Sequence, residues 1–368
     1  MTLADLPLDG LAFRTSADVF EPMRAACASN PDLATFETIG VSEEGRPIAG
    51  VTLGHGPRLV TLIAGAHADE PVGPETLRTL VLEGLAARGW GAEGGGLADL
   101  FERVTLRIVP HVNPDGEARN RAWIDAWSDD PARRSETLSA YLRGRRRELP
   151  GRDLEFGYPG MRVENKAASA FLFGAGPVAL HASLHGMGYS EGALLMIQKD
   201  WIEREVTGPL RDGFADAARA AGFRLHDHDR GGEKGFHYHG PGFWTTPEGR
   251  AMRAHFDASG DPETAAHFHA SSMEAARATG PDPALGTRAL CVVTELPLFV
   301  LTADAERVTG VPVVLQRFQE RSAALAAAAA EGESLEPLVD PLGLRPVPLA
   351  TAVRLHLQTL DLALGVVA

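Results

Sequence analysis

Cysteine is almost missing from this 368-residue chain, which holds two, Cys27 and Cys291. Two cannot build a disulfide framework, and Cys291 lies in an apolar run that suits a core position. An excess of positive charge is missing too. The formal net charge is -14, so neither nucleic acid nor an anionic membrane is an expected partner, because both require a basic footprint. No apolar run reaches the length of a membrane span. The first twenty residues lack the basic stretch and apolar core of a signal peptide, and the expected location is the cytoplasm. What is present is an ordinary composition, 44% hydrophobic and 23% charged, with length enough for one large α/β domain.

One stretch organises the rest. Residues 58–73 read RLVTLIAGAHADEPVG. The apolar run at its start suits a strand buried on both faces in the middle of a parallel sheet. The chain then turns polar at His67, Asp69 and Glu70 before Pro71 and Gly73. Ligand crevices in open α/β sheets lie beyond the carboxyl ends of strands, so chemistry is expected at this turn. A His and a Glu separated by two residues can both bend onto one metal ion, and a nitrogen with carboxylate oxygens suits zinc.

Along the chain, 17–29 reads as a helix, 36–53 as a hairpin, and 74–88 as a helix with one apolar face. The Gly-rich segment GWGAEGGG reads as a surface loop. A second buried strand, 104–112, runs into the turn signal Asn113-Pro114-Asp115-Gly116. Residues 123–144 are polar and partly helical, and the basic cluster Arg143, Arg145, Arg146 and Arg147 reads as a solvated face. A helix over 161–173 precedes a third strand, 178–184, ending at His185-Gly186. The His- and Gly-rich stretch 224–270 reads as a long insertion. A fourth strand, 289–294, ends at Glu295-Leu296-Pro297. An alanine-rich helix, a Pro-punctuated linker over 333–348 and a closing helix make a helical extension at 311–368.

Each of four apolar strands thus ends in polar groups: His67 with Glu70, Asn113 with Asp115, His185, and Glu295. A single crevice at one sheet edge accounts for all four. His181 and His185 are four residues apart, so a strand separates them by about 13 Å and they cannot share an ion. His185, beside a glycine that allows close approach, is the candidate ligand. His181 and His111 read as structural histidines.

These residues resemble the zinc metallocarboxypeptidases of the carboxypeptidase A type. The resemblance rests on His67-Ala68-Asp69-Glu70, on Ser183-Leu184-His185-Gly186, on Thr294-Glu295-Leu296-Pro297 and on the Asn113–Gly116 turn. Asn120-Arg121-Ala122-Trp123 and the lead-in Ser42 to Ile48 extend it, in the family's order, over 39–299. It implies an α/β fold, a mixed, mostly parallel central sheet flanked by helices (the phosphorylase/hydrolase-like fold), in one catalytic domain spanning 1–368. It also implies one Zn2+ per chain held by His67, Glu70 and His185, with Glu295 as general base and Arg121 holding the oxyanion. The departure is at 151–156, where the family's Asn-Arg grip on a terminal carboxylate becomes Glu155 and Phe156. The family's substrate-binding Tyr has no counterpart between Tyr238 and Glu295.

Two imidazoles and one carboxylate leave a zinc ion net positive, able to lower a bound water's pKa from about 16 towards about 7. The expected activity is zinc-dependent hydrolysis of an amide bond in a peptide or amino-acid conjugate, as a metallocarboxypeptidase-like peptidase. Two alternatives stand beside it: a zinc deacylase of small N-acyl amino acids, similar to succinylglutamate desuccinylase and aspartoacylase, and an inactive peptide-binding homologue. Within 224–270 a second metal site at His226 and His228 is weighed against a lid or wall over the crevice.

Overall fold

The structure is a computed structural model that describes residues 2–86, 96–303 and 306–367. Most of the Gly-rich GWGAEGGG segment lies outside the described residues. Helix α1 (Ser16–Ala28) precedes the hairpin β1 (Ala34–Val41) and β2 (Pro47–Leu53), and β3 (Arg58–Ala64) leads into α2 (Val72–Ala86). Then come α3 (Leu97–Arg103), β4 (Val104–Val109), α4 (Pro114–Asp125), α5 (Arg134–Gly144) and α6 (Val163–Phe173). Strands β5 (Val178–Ser190) and β6 (Gly192–Ile197) are followed by α7 (Lys199–Ile202), α8 (Gly208–Ala220), β7 (Arg224–Leu225), β8 (Tyr238–Gly240) and β9 (Phe243–Thr245). Next are α9 (Gly249–Ala258), α10 (Pro262–His267), α11 (Ser272–Ala278), β10 (Leu290–Leu301), β11 (Arg307–Val308) and β12 (Val311–Pro312). The chain closes with α12 (Val313–Glu331), α13 (Glu336–Val339), β13 (Leu344–Pro346) and α14 (Leu349–Val367).

The main sheet runs β1-β2-β4-β3-β5-β10-β6-β9-β8. It is mixed, with the central strands β4, β3, β5 and β10 parallel, as the fold class expected. β3 sits between two parallel neighbours, which is why its side chains are almost all buried. Its one internal hydroxyl, Thr61 Oγ1, lies 2.8 Å from His181 Nδ1, and Ser272 Oγ lies 3.0 Å from His181 Nε2. His181 is therefore a hydrogen-bonded core residue. α14 packs on α2 and α8, and its Asp361 carboxylate accepts from the Leu3 and Ala4 amides at 2.9 and 2.8 Å, tying both ends of the chain to one core. Among the described residues no helix is long and apolar enough to cross a membrane.

Four expectations change. β5 and β10 do not stop at His185 and Glu295 but pair with each other from Leu290 to Val300, because each supplies the other's backbone partners. β4 ends at Val109 rather than at 112, and the Asn113–Gly116 turn opens a helix: the Asn113 side chain accepts from the Gly116 amide and, with Pro114 at the first helical position, caps α4. Part of 224–270 belongs to the main sheet, since β9 pairs in parallel with β6 over Leu195–Ile197. The 333–348 linker also contributes a strand, β13, antiparallel to β10.

The N-terminal segment is held by buried charge. Glu117 on α4 accepts from Arg78 Nη2 at 2.7 Å and from the Ser16 amide at 2.8 Å. Burial alone would raise its pKa, but His111, Arg78 and the Ser16 amide outweigh it and bring it to about 2. The unfolded value is near 4.3. A depressed pKa adds stability above the unfolded value that is lost as pH falls through the folded one. Glu117→Gln should therefore cost about 3 kcal/mol at pH 7 and flatten the loss of stability between about pH 4.5 and 2, read by urea denaturation.

Candidate metal centre

The turn after β3 depends on two glycines. Gly65 has φ +75°, and a Cβ there would stand 2.5 Å from the His111 ring. At Gly73 a Cβ would meet the Leu184 carbonyl oxygen at 2.4 Å, so only glycine lets the start of α2 pass so close to β5. The turn is also gripped from outside. The Ala68 amide donates to Glu148 Oε2 at 3.2 Å, Leu154 N donates to the Ala66 carbonyl at 3.2 Å, and Arg147 Nε donates to Asp69 Oδ2 at 2.6 Å. Asp69 is buried, so that ion pair fixes the loop in one shape.

β5 then brings His185 alongside. The His67 Nδ1 to Glu70 Oε1 distance is 2.8 Å, His185 Nδ1 to Glu70 Oε2 is 3.0 Å, and the two Nδ1 atoms are 3.1 Å apart. The Gly186 amide adds a 3.2 Å bond to Glu70 Oε2. Among the described residues these three form the one group of His, Cys, Asp or Glu placed to hold a metal ion together. Glu295 is paired in register with His185 on the neighbouring strand, which sets the two side chains on the same face.

The donor set fits zinc. Two imidazole nitrogens 3.1 Å apart, with a carboxylate oxygen of Glu70 within 3.0 Å of each ring, supply three ligands of a site with an open position. The titration behaviour has the same origin. Burial pushes the His67 imidazole down, yet the charge and hydrogen bond of Glu70 raise it to about 10. His185 is likewise raised well above its usual range against burial, by its hydrogen bonds to Glu155 and Glu70. Glu70, despite burial, is held far below the carboxylate range by His67 and His185. The cluster collects positive charge where a divalent cation would supply it. Glu295 goes the other way: burial and the Glu70 charge push it up to about 8.

The ring of residues behind the ligands was not legible in the sequence. Glu155, expected to face substrate, is buried and turned inward, with Oε2 3.1 Å from His185 Nε2. Phe156 is buried beside Phe268 and Met252. The cause is backbone: the 154–156 stretch is stitched to Ala66, and to the start of α11 and the residues just before it by the Ser272 and His269 amides, which donate to Glu155 O and Phe156 O. Asp153 adds its charge in support of the His67 imidazolium.

Arg121 lines a small cavity with Ala68 and Pro71 beside the His67–Glu70 turn. Its guanidinium donates to the Phe13 carbonyl at 2.8 Å and pairs with Asp125, and none of its hydrogen bonds reaches His67, Glu70, His185 or Glu295. Arg147, from the cluster read as a solvated face, adds its field at Glu295 to the larger ones of His185 and His67. Its contact to Asp69 spans 78 residues, and no spacing rule could have signalled it. His226 is buried against Ser190 and Glu191 and is not part of a three-ligand group.

Comparison with known proteins points the same way as the motifs. Residues 20–161 match the Peptidase_M14 zinc carboxypeptidase family, so the resemblance holds over a stretch that includes His67, Glu70 and Asn120 to Trp123. Carboxypeptidase B of Astacus astacus is 31% identical over 91 residues, 24% of this chain and 28% of that protein. Zinc carboxypeptidase A 1 of Drosophila melanogaster is 27% identical over 118 residues, 29% of this chain and 26% of that protein. The chain thus spans under a third of the length of either relative. Among solved structures, a metallo-carboxypeptidase from Burkholderia cenocepacia is 20% identical with a TM-score of 0.41, covering 87% of this chain and 69% of that one. Bovine thrombin-activatable fibrinolysis inhibitor, solved in complex with tick carboxypeptidase inhibitor, is 15% identical with a TM-score of 0.40, covering 90% and 97%.

Proposed function

We propose that this protein is a zinc-dependent amide hydrolase of the metallocarboxypeptidase type, acting on a peptide or amino-acid conjugate. One observation carries the reading: His67, Glu70 and His185 meet within hydrogen-bonding distance, and an unligated acid, Glu295, stands on the adjacent strand. His67, Glu70 and His185 would hold the ion. Bound zinc supplies Lewis acidity and lowers the pKa of water in its open position.

The chain's own groups do the rest. Glu295 accepts a proton from the attacking water and hands it to the leaving amine, a role supported by its place opposite His185 on the neighbouring strand. Arg147 donates to Asp69 through Nε alone, and no hydrogen bond from its Nη atoms is found among the described residues. It is the cation we assign to the negative charge that develops on the substrate. Keeping all four groups of the centre argues against a binding module that has lost its chemistry.

Glu155 and Phe156 stand where the family grips a peptide's terminal carboxylate and are both buried, so a second reading, a deacylase of small N-acyl amino acids, stands beside the first. A panel of free peptides, C-terminally amidated peptides and N-acyl amino acids separates the two. Hydrolysis of at least one class should vanish with chelator and return with zinc, and amidation should cost less than about tenfold, since no charge-assisted pair is lost. Chelator-resistant cleavage would remove the zinc dependence, and no cleavage of any class by a zinc-loaded protein would remove the hydrolase reading.

A further inference from the structure

We infer that Glu155 is the positioning residue of this centre: it fixes the tautomer and the aim of His185, so that Nδ1 presents its lone pair to the cation. The inference rests on the zinc reading above and deepens it. Glu155 comes from the loop after Pro150, His185 from β5 and Ser272 from the first residue of α11, so three separate elements meet on one carboxylate. All of it is dry: Glu155, Ser183, His185 and Ser272 are each buried.

The carboxylate accepts from every side. Its Oε1 takes the Ser272 amide at 3.1 Å and the Ser272 hydroxyl at 2.6 Å, while Oε2 takes the Ser183 hydroxyl at 3.1 Å and lies 3.1 Å from His185 Nε2. Ser183 Oγ is also 2.8 Å from Nε2, so its hydroxyl donates to Glu155 and its lone pair faces the ring. An ionised carboxylate can only accept. Nε2 must then carry the hydrogen, and a neutral imidazole so protonated has its lone pair on Nδ1. That is the ring atom found 3.0 Å from Glu70 and 3.1 Å from His67. The anion also strengthens His185 as a ligand by stabilising positive charge on the ring.

Glutamine in this place would break the pattern. Whichever way its amide is turned, the NH2 group faces a donor, either the Ser272 amide or the Nε2 hydrogen. Turned towards Ser272, the NH2 leaves His185 Nε2 a neutral oxygen in place of an anion, while the Ser272 amide keeps the Glu155 backbone carbonyl as acceptor at 3.1 Å. Turned towards His185, it meets the Nε2 hydrogen, and the imidazole answers by moving its proton to Nδ1, where the ligand lone pair is lost.

The test is zinc titration of chelator-stripped protein against a chromophoric chelator at pH 7, with unfolding midpoints of the metal-free forms measured in parallel. Wild type should bind one zinc, Glu155→Gln should bind it about 10- to 100-fold more weakly, and Glu155→Asp should fall between them. A Glu155→Gln affinity within about twofold of wild type, whatever its unfolding midpoint, would reduce Glu155 to a packing role and overturn the inference. If Glu155→Gln does not fold, Glu155→Asp decides alone: weakened binding upholds the inference, unchanged binding overturns it. Failure of the wild type itself to bind zinc would instead bring down the metal reading of the whole site.

Discussion

Glu295→Gln is expected to keep its zinc and to lose amide hydrolysis by a factor of about 10³, within the range that a positioned general base supplies. The substitution is close to isosteric and touches none of the three ligands, so metal content should stay at the wild-type value. Glu295 is half-buried, and its desolvation together with the charge of Glu70 holds its proton up to about 8 in the absence of a cation. Glutamine removes that repulsion, so the metal-free variant should unfold at no lower urea concentration than wild type. Rate and zinc content measured on one preparation decide the matter. A variant that keeps its zinc and hydrolyses substrate at the wild-type rate would clear Glu295 of the role.

Removing a ligand should do more. In His185→Ala the lone pair that meets Glu70 and His67 disappears, and zinc affinity should drop by about 10³ or more, beyond the 10–100-fold cost of losing an outer partner. Stability should suffer as well. Glu155 loses the imidazole at Nε2 and Glu70 loses it at Nδ1, leaving buried carboxylates short of a partner. Breaking such a pair from one side costs about 3–5 kcal/mol. Urea denaturation of the metal-free proteins reads this second effect, and chelator competition reads the first.

The two effects differ in how visible their causes were in the sequence. His67 and Glu70 lie within one turn, so their proximity follows from local geometry alone. That β3 ends there followed from an apolar run with no polar side to show to water. The partnership with His185 depends on β3 and β5 being neighbours, a fact of sheet order that four polar strand ends could only suggest. The bounds of β5 and β10 were missed because nothing in Gly186-Met187-Gly188 or Leu296-Pro297 looks like a continuing strand. Each is carried on by pairing with the other.

Charge was the hardest thing to read. Arg147 sits in a run of arginines that resembles a solvated helix end, and only the fold brings buried Asp69 to it. Glu155 looked like an anion set against substrate because the resemblance placed it where the family grips a terminal carboxylate. Its true partners, Ser183, His185 and Ser272, are 28 to 117 residues away. Arg121 had the right neighbours in Asn120 and Trp123, yet its guanidinium turns to the Phe13 carbonyl and Asp125. Motif spacing fixes where a backbone goes and leaves open which way a long side chain leans.

The most direct measurement is anomalous diffraction at the zinc edge from crystals of the zinc-loaded protein. The account predicts one strong peak per chain, about 2.0–2.2 Å from a nitrogen of His67, a nitrogen of His185 and an oxygen of Glu70, with Glu295 outside bonding distance. A peak on other residues, or no peak in protein that has been saturated with zinc, would contradict it.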